Sequence, residues 1–175
     1  LQVTGVDLSA GMLARAQTHA ESLGAKVRFV HGDFLAPLAG EPADLLLCLG
    51  NSIPHLPSLA ALAAVFTHWR ALLAPGGHVL VQLLNYRRVL AAHERIVNIR
   101  HEESRTIVRF YDFLDDALQF NILAIDGGTP PGHTLRSTRL QPFTDRDLVE
   151  AAQTAGFASV GVYGGLDFRS FDAVQ

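Results

Sequence analysis

The sequence predicts an α/β domain: a mostly parallel sheet with helices on both faces, carrying an inserted set of antiparallel strands. Three observations lead there. Short apolar runs alternate with helix-like segments through the first half of the 175-residue chain. The first run, in LQVTGVDLSAGML, ends in an acid and turns straight into a helix. Beyond residue 104 the pattern becomes strand-like stretches joined by short turns.

Val3 to Val6 reads as a strand, and Ala10 to Leu23 as a helix capped by Ser9 and stopped at Gly24. Lys26 to Val30 is the next strand and leads into HGDFL. Asp44 to Leu49 is a continuous apolar run of the kind that fills the centre of a parallel sheet, ending at Gly50-Asn51. Leu59 to Leu73 reads as a helix with Ser58 as its cap, before a Pro75-Gly76-Gly77 turn and a strand over His78 to Leu84. Thr106 to Phe113 and Leu118 to Ile125 flank an acidic turn and form a hairpin, and His133 to Leu140 supplies a third antiparallel strand. Thr144 caps a helix that carries Asp145 and Asp147 in its first turn and closes at Gly156. Ala158 to Tyr163 is the last predicted strand. The expected organisation is one domain over 1–175, with 104–141 an antiparallel insertion that caps the substrate.

Bulk properties narrow the function. Hydrophobic residues make up 49% of the chain and charged residues 18%, enough to bury one sizeable core. A net charge of −3 and scattered arginines leave no footprint for nucleic acid. Cys48 is the only cysteine, so no internal disulfide forms, and a reducing, cytoplasmic setting is expected. The uncharged stretch Leu45 to Trp69 is interrupted by Asn51, Pro54, His55 and Pro57 and reads as strand, loop and helix rather than a membrane span.

The polar residues at strand ends are the candidates for chemistry. A carboxylate at the end of the first strand, Asp7, can accept two hydrogen bonds from a vicinal diol, and open α/β sheets bind ligands at that edge. Asp33, after the next strand, would lie at the same edge and accept from the exocyclic amine of a base, with Phe34 over the ring. Gly50 allows close backbone approach, and Asn51 offers a donor and an acceptor. His55 can orient or deprotonate a nucleophile. Asn85 and Tyr86 end the strand after Pro-Gly-Gly and converge on the same crevice. Each has a plainer reading: Asp7 as a helix N-terminal charge, Gly-Asp as a turn, and Asn51 and His55 as loop residues. The His93-Glu94 and His101-Glu102-Glu103 groups lack the spacing of a zinc helix, and no metal is expected.

In this order, GVDLSAGML, HGDFL, LCLGNSIPHL and LLAPGGHVLVQ resemble the class I S-adenosylmethionine-dependent methyltransferases over nearly the whole chain. The resemblance implies a Rossmann-like sheet and S-adenosylmethionine held by Asp7, Leu8, Asp33 and Phe34, with Leu49 and Gly50 against it. LCLGNSIPHL followed by LLNYRR looks most like the glycine and sarcosine N-methyltransferase branch. That implies Asn51, Asn85 and Tyr86 beside the methyl acceptor, His55 as candidate base, and Arg109 and Tyr111 in the roof of the pocket. Where that branch has a carboxylate-gripping arginine, this chain has Leu84, so the expected acceptor is a small molecule other than glycine, methylated on nitrogen or oxygen. The family's first strand with its Gly-rich turn, and its last strand, are expected to be missing, and the fragment alone is expected to be weak or inactive. Two rivals remain: an NAD-dependent oxidoreductase, whose cofactor ribose Asp7 would serve equally well, and a catalytically silent homologue.

Overall fold

The computed structural model of the protein describes residues 1–33 and 41–173. Phe34, expected to cover the base, therefore lies outside the described residues. The chain runs β1 (Val3–Asp7), α1 (Ala10–Ser22), β2 (Val27–His31), β3 (Ala43–Cys48), a 3-10 turn (Ile53–His55), α2 (Leu59–Leu72), β4 (Leu73–Val81), α3 (Tyr86–Ala92), β5 (Ile96–Glu102), β6 (Arg105–Phe113), β7 (Leu118–Asp126), β8 (Gly132–Leu140) and α4 (Asp145–Thr154).

Parallel pairing joins β1 to β2 and β3 to β4 as separate two-stranded ladders, and β5-β6-β7-β8 form a four-stranded antiparallel sheet. The β-α half follows its local signals. Ser9 and Ser58 cap α1 and α2 by accepting from the backbone N–H of Met12 and Ala61. Thr144 and Asp147 form a reciprocal capping box at α4. One core lies where α2 (Leu62, Val65, Phe66, Trp69) meets Ala151 and Ala152 of α4, Ile53 and Leu56, with Leu46, Cys48, Val79 and Val81 packed against it. A second core joins Tyr86 to Tyr111, Leu118 and Leu140 of the antiparallel sheet.

Five expectations change. The β3 strand is covered on one face only: Leu46 and Cys48 pack against the α2–α4 core, while Leu45 and Leu47, and Leu49 just beyond, are 52%, 57% and 44% exposed. The Pro75-Gly76-Gly77 turn lies within β4 as an irregularity, since Ala43 pairs with Leu73 but Leu45 pairs with His78. Gly77 is required there, because a Cβ would sit 2.9 Å from the Ala43 carbonyl oxygen and 3.0 Å from that of Ala74. The strand expected to run to Leu84 stops at Val81, and Asn85 instead caps α3. Ala158 to Tyr163 forms no strand. Among the described residues it pairs only through one bridge between Tyr163 and Ser170, and a strand without a partner leaves its backbone groups unsatisfied. The antiparallel sheet also begins earlier than residue 104, because β5 pairs with β6 from Ile96 onward.

Candidate active site

Two clusters form at the carboxyl ends of the parallel pairs. At the first, β1 and β2 run in register with Asp7 opposite His31, and the Gly32 N–H donates to the Asp7 carbonyl at 3.1 Å. This bond ties the two strand ends together and puts Asp33 one residue from it. His31 Nε2 lies 2.8 Å from the Leu8 carbonyl, which fixes the turn into α1. Asp7 Oδ1 accepts from the Ser9 N–H at 2.7 Å, so one carboxylate oxygen orders the helix entry. Its Oδ2 has no partner among the described residues. One oxygen of Asp7 thus serves the plainer, helix-entry role, and the other is left open among the described residues.

The second cluster is built on a strained turn. Gly50 and Asn51 take consecutive left-handed conformations, with φ of 77° and 65°. Glycine adopts this freely and asparagine is among the side chains that tolerate it best. Gln82 holds the turn: its N–H donates to the Cys48 carbonyl at 2.9 Å, its carbonyl accepts from the Asn51 N–H at 3.3 Å, and its Oε1 accepts from the Gly50 N–H at 2.8 Å. Sequence reasoning missed Gln82, because a glutamine inside an apolar strand carries no sign of which backbone donor it will meet. The Asn51 side chain is fixed at both ends. Oδ1 accepts from the Leu84 N–H at 3.0 Å, and Nδ2 donates to the Tyr86 hydroxyl at 2.8 Å.

The remaining candidates divide sharply. Tyr86, expected beside the acceptor, is 1% exposed and packed into the second core, so it reaches the cluster only through Asn51. Burial pushes its phenol up to about 12, which keeps it neutral and rules it out as a base near neutral pH. Asn85 also serves the fold: Oδ1 accepts from the Arg88 N–H at 3.2 Å and Nδ2 donates to the Asp172 carbonyl at 3.1 Å. Tyr111 is 4% exposed in the Tyr86 cluster, so that face of the antiparallel sheet points toward α3. Arg109, two residues earlier on β6, shares the face, and its Nη1 donates to Asn98 Oδ1 at 3.1 Å. His55 is exposed in the 3-10 turn, and its imidazole has no hydrogen-bond partner among the described residues. Burial pushes the Cys48 thiol up to about 11, which makes it unreactive at neutral pH. No group of three or more His, Cys, Asp or Glu that could hold a metal occurs among the described residues.

The fold has counterparts among known proteins. Residues 1–77 match the family model described as a methyltransferase domain. The fold is a Rossmann-like methyltransferase fold. Over 99% of its length the chain superposes on the CcbJ methyltransferase of Streptomyces caelestis with a TM-score of 0.84 at 24% identity, covering 71% of that protein. It covers 63% of an S-adenosylmethionine-dependent methyltransferase from Clostridium acetobutylicum, with 89% of this chain aligned, a TM-score of 0.75 and 18% identity. CalS10 of Micromonospora echinaspora, an amino pentose methyltransferase solved with S-adenosylmethionine bound, aligns over 96% of this chain and 71% of its own at 23% identity, with a TM-score of 0.73. No curated protein matches the chain in sequence. Among the described residues, no helix of this methyltransferase fold is long and apolar enough to cross a membrane.

Proposed function

We propose that the chain transfers a methyl group from S-adenosylmethionine to a nitrogen or oxygen of a small molecule. The observation that carries this is the junction of the β1 and β2 ends, where the Gly32-to-Asp7 bond brings Asp7 and Asp33 to one edge. Two carboxylates there suit a nucleoside: the open oxygen of Asp7 accepts from the ribose diol and Asp33 from the exocyclic amine. The sulfonium of the cofactor supplies an electrophilic methyl group, so the protein's task is chiefly alignment. Asn51, half-buried beyond the end of β3, orients the acceptor, and the antiparallel sheet covers it through Arg109, with Tyr111 beneath in the core. His55, exposed and without a hydrogen-bond partner among the described residues, is a group available to take a proton. The Asn85-Tyr86 pair after β4 and the antiparallel sheet support a place near the glycine and sarcosine N-methyltransferases. Leu84, 43% exposed, brings no charge to hold a carboxylate, and glycine is not the acceptor. The unit is one domain.

One second reading has a specific observation behind it. The polar ends of Asn85 and Tyr86 are committed to the fold, as they would be in a homologue that binds cofactor without turnover. Incubating the full-length protein with S-adenosylmethionine and a panel of amines and alcohols, and following S-adenosylhomocysteine release, separates the two. Acceptor-dependent release supports methyl transfer, and cofactor binding without release from any acceptor supports the silent homologue.

A further inference from the structure

Residues 82, 84 and 86 all address the same two residues, Gly50 and Asn51. The Gln82 side chain takes the Gly50 N–H, the Leu84 N–H takes Asn51 Oδ1, and the Tyr86 hydroxyl takes Asn51 Nδ2. They lie on the short link between the end of β4 and the first residue of α3. Asn51 and Gln82 are both partly exposed at strand ends, but Gln82 turns its Oε1 to the Gly50 N–H, and Tyr86 is sealed in the core. We infer that Gln82 and Tyr86 are positioning residues that act through Asn51, setting the orientation of the one amide that meets the methyl acceptor.

The two internal bonds decide which way the amide faces, since Oδ1 must meet an N–H and Nδ2 an oxygen. What remains is one Nδ2 proton and one Oδ1 lone pair, a donor and acceptor side by side. That pair suits a neutral amine or a hydroxyl, which can give its proton to Oδ1 while keeping a lone pair for the incoming methyl. Tyr86 anchors the arrangement because its ring is packed against Tyr111, Leu118 and Leu140, so its hydroxyl cannot swing away. Gln82 anchors it from the other side by closing the Gly50-Asn51 turn. The role in catalysis rests on the methyltransferase reading above; the positioning itself does not.

The test is proton exchange in the protein labelled with nitrogen-15, read at the Asn51 side-chain amide and the Gly50 backbone amide. The Asn51 resonance is assigned by its loss in Asn51→Asp, a residue that also tolerates the left-handed backbone. Tyr86→Phe keeps the packed ring and is expected to speed exchange of the Asn51 side-chain protons about tenfold, the worth of one hydrogen bond. Gln82→Met is expected to do the same at the Gly50 N–H, and Gln82→Glu, whose carboxylate still accepts from that N–H, to restore protection. Affinity for S-adenosylhomocysteine should stay within about twofold in Tyr86→Phe. Unchanged exchange at Asn51 in Tyr86→Phe, or a failure of Gln82→Glu to rescue Gly50, overturns the inference. Absence of S-adenosylhomocysteine binding in the unsubstituted protein overturns the methyltransferase reading instead and leaves the exchange results standing.

Discussion

Replacing Asp7 by Asn separates the two functions of one carboxylate. Oδ1 holds the Ser9 N–H at 2.7 Å, and an asparagine oxygen can do the same, so the entry into α1 survives. The other oxygen becomes an amide that carries no charge. A hydrogen bond to a charged group is worth about 1.5–3 kcal/mol against about 1 kcal/mol for a neutral pair, so the substitution removes about 0.5–2 kcal/mol of ribose binding. That is a loss of about 2- to 30-fold in affinity. Titration calorimetry with S-adenosylhomocysteine on the full-length protein measures it, with the melting temperature as a control expected to stay within about 2 °C. Asp7→Ala also removes the Ser9 bond and should cost about 1 kcal/mol of stability in addition. Wild-type affinity in a folded Asp7→Asn protein would refute the reasoning, because it would leave Asp7 with only its helix-entry role.

Three further outcomes follow from the fold. Gly77→Ala places a Cβ against two backbone oxygens that cannot swing aside, and chemical denaturation should show a loss of about 1–3 kcal/mol; a neutral result would mean that β4 is not held to β3 as described. Thr144→Ala breaks the capping box of α4 and should cost about 1 kcal/mol, with Asp147→Ala adding little in that background because both act through one reciprocal pair. Tyr86 and Cys48 have pKa values raised by burial to about 12 and about 11, so the folded state holds their protons more tightly than the unfolded chain. Their stabilisation is fully present below pH 9 and falls as pH rises through 11 and 12; melting temperatures taken upward from pH 8.5 should decline, and the decline should be shallower in Tyr86→Phe.

Much of this was readable because the β-α half obeys local rules. The serines before α1 and α2 and the threonine before α4 announced their caps, and β1, β2 and β3 fell within a residue or two of their apolar runs. What was misread depended on partners. RIVNIRHE mixes charges into an edge strand, so β5 becomes visible only through its pairing with β6. Ala158 to Tyr163 has strand-like residues but, among the described residues, only the single Tyr163–Ser170 bridge. The site shows the same division. Asp7, Asp33 and Asn51 were legible as polar residues at strand ends, where a parallel sheet offers a crevice. Gln82 was not, because its importance lies in meeting a Gly50 N–H 32 residues away in sequence. Asn85 and Tyr86 were recognised as a pair, yet the N-cap of α3 and the aromatic core claim their polar groups first.

The central claim is that the carboxylate edge of β1 and β2 belongs to a methyl-donor site. It is tested most directly by titrating the full-length protein in parallel with S-adenosylmethionine and with NAD, which share a ribose diol and an adenine but differ in everything beyond them. Saturable binding of S-adenosylmethionine, weakened in Asp7→Asn and not matched by NAD, is the result expected. Tight binding of NAD with none of S-adenosylmethionine would contradict the account.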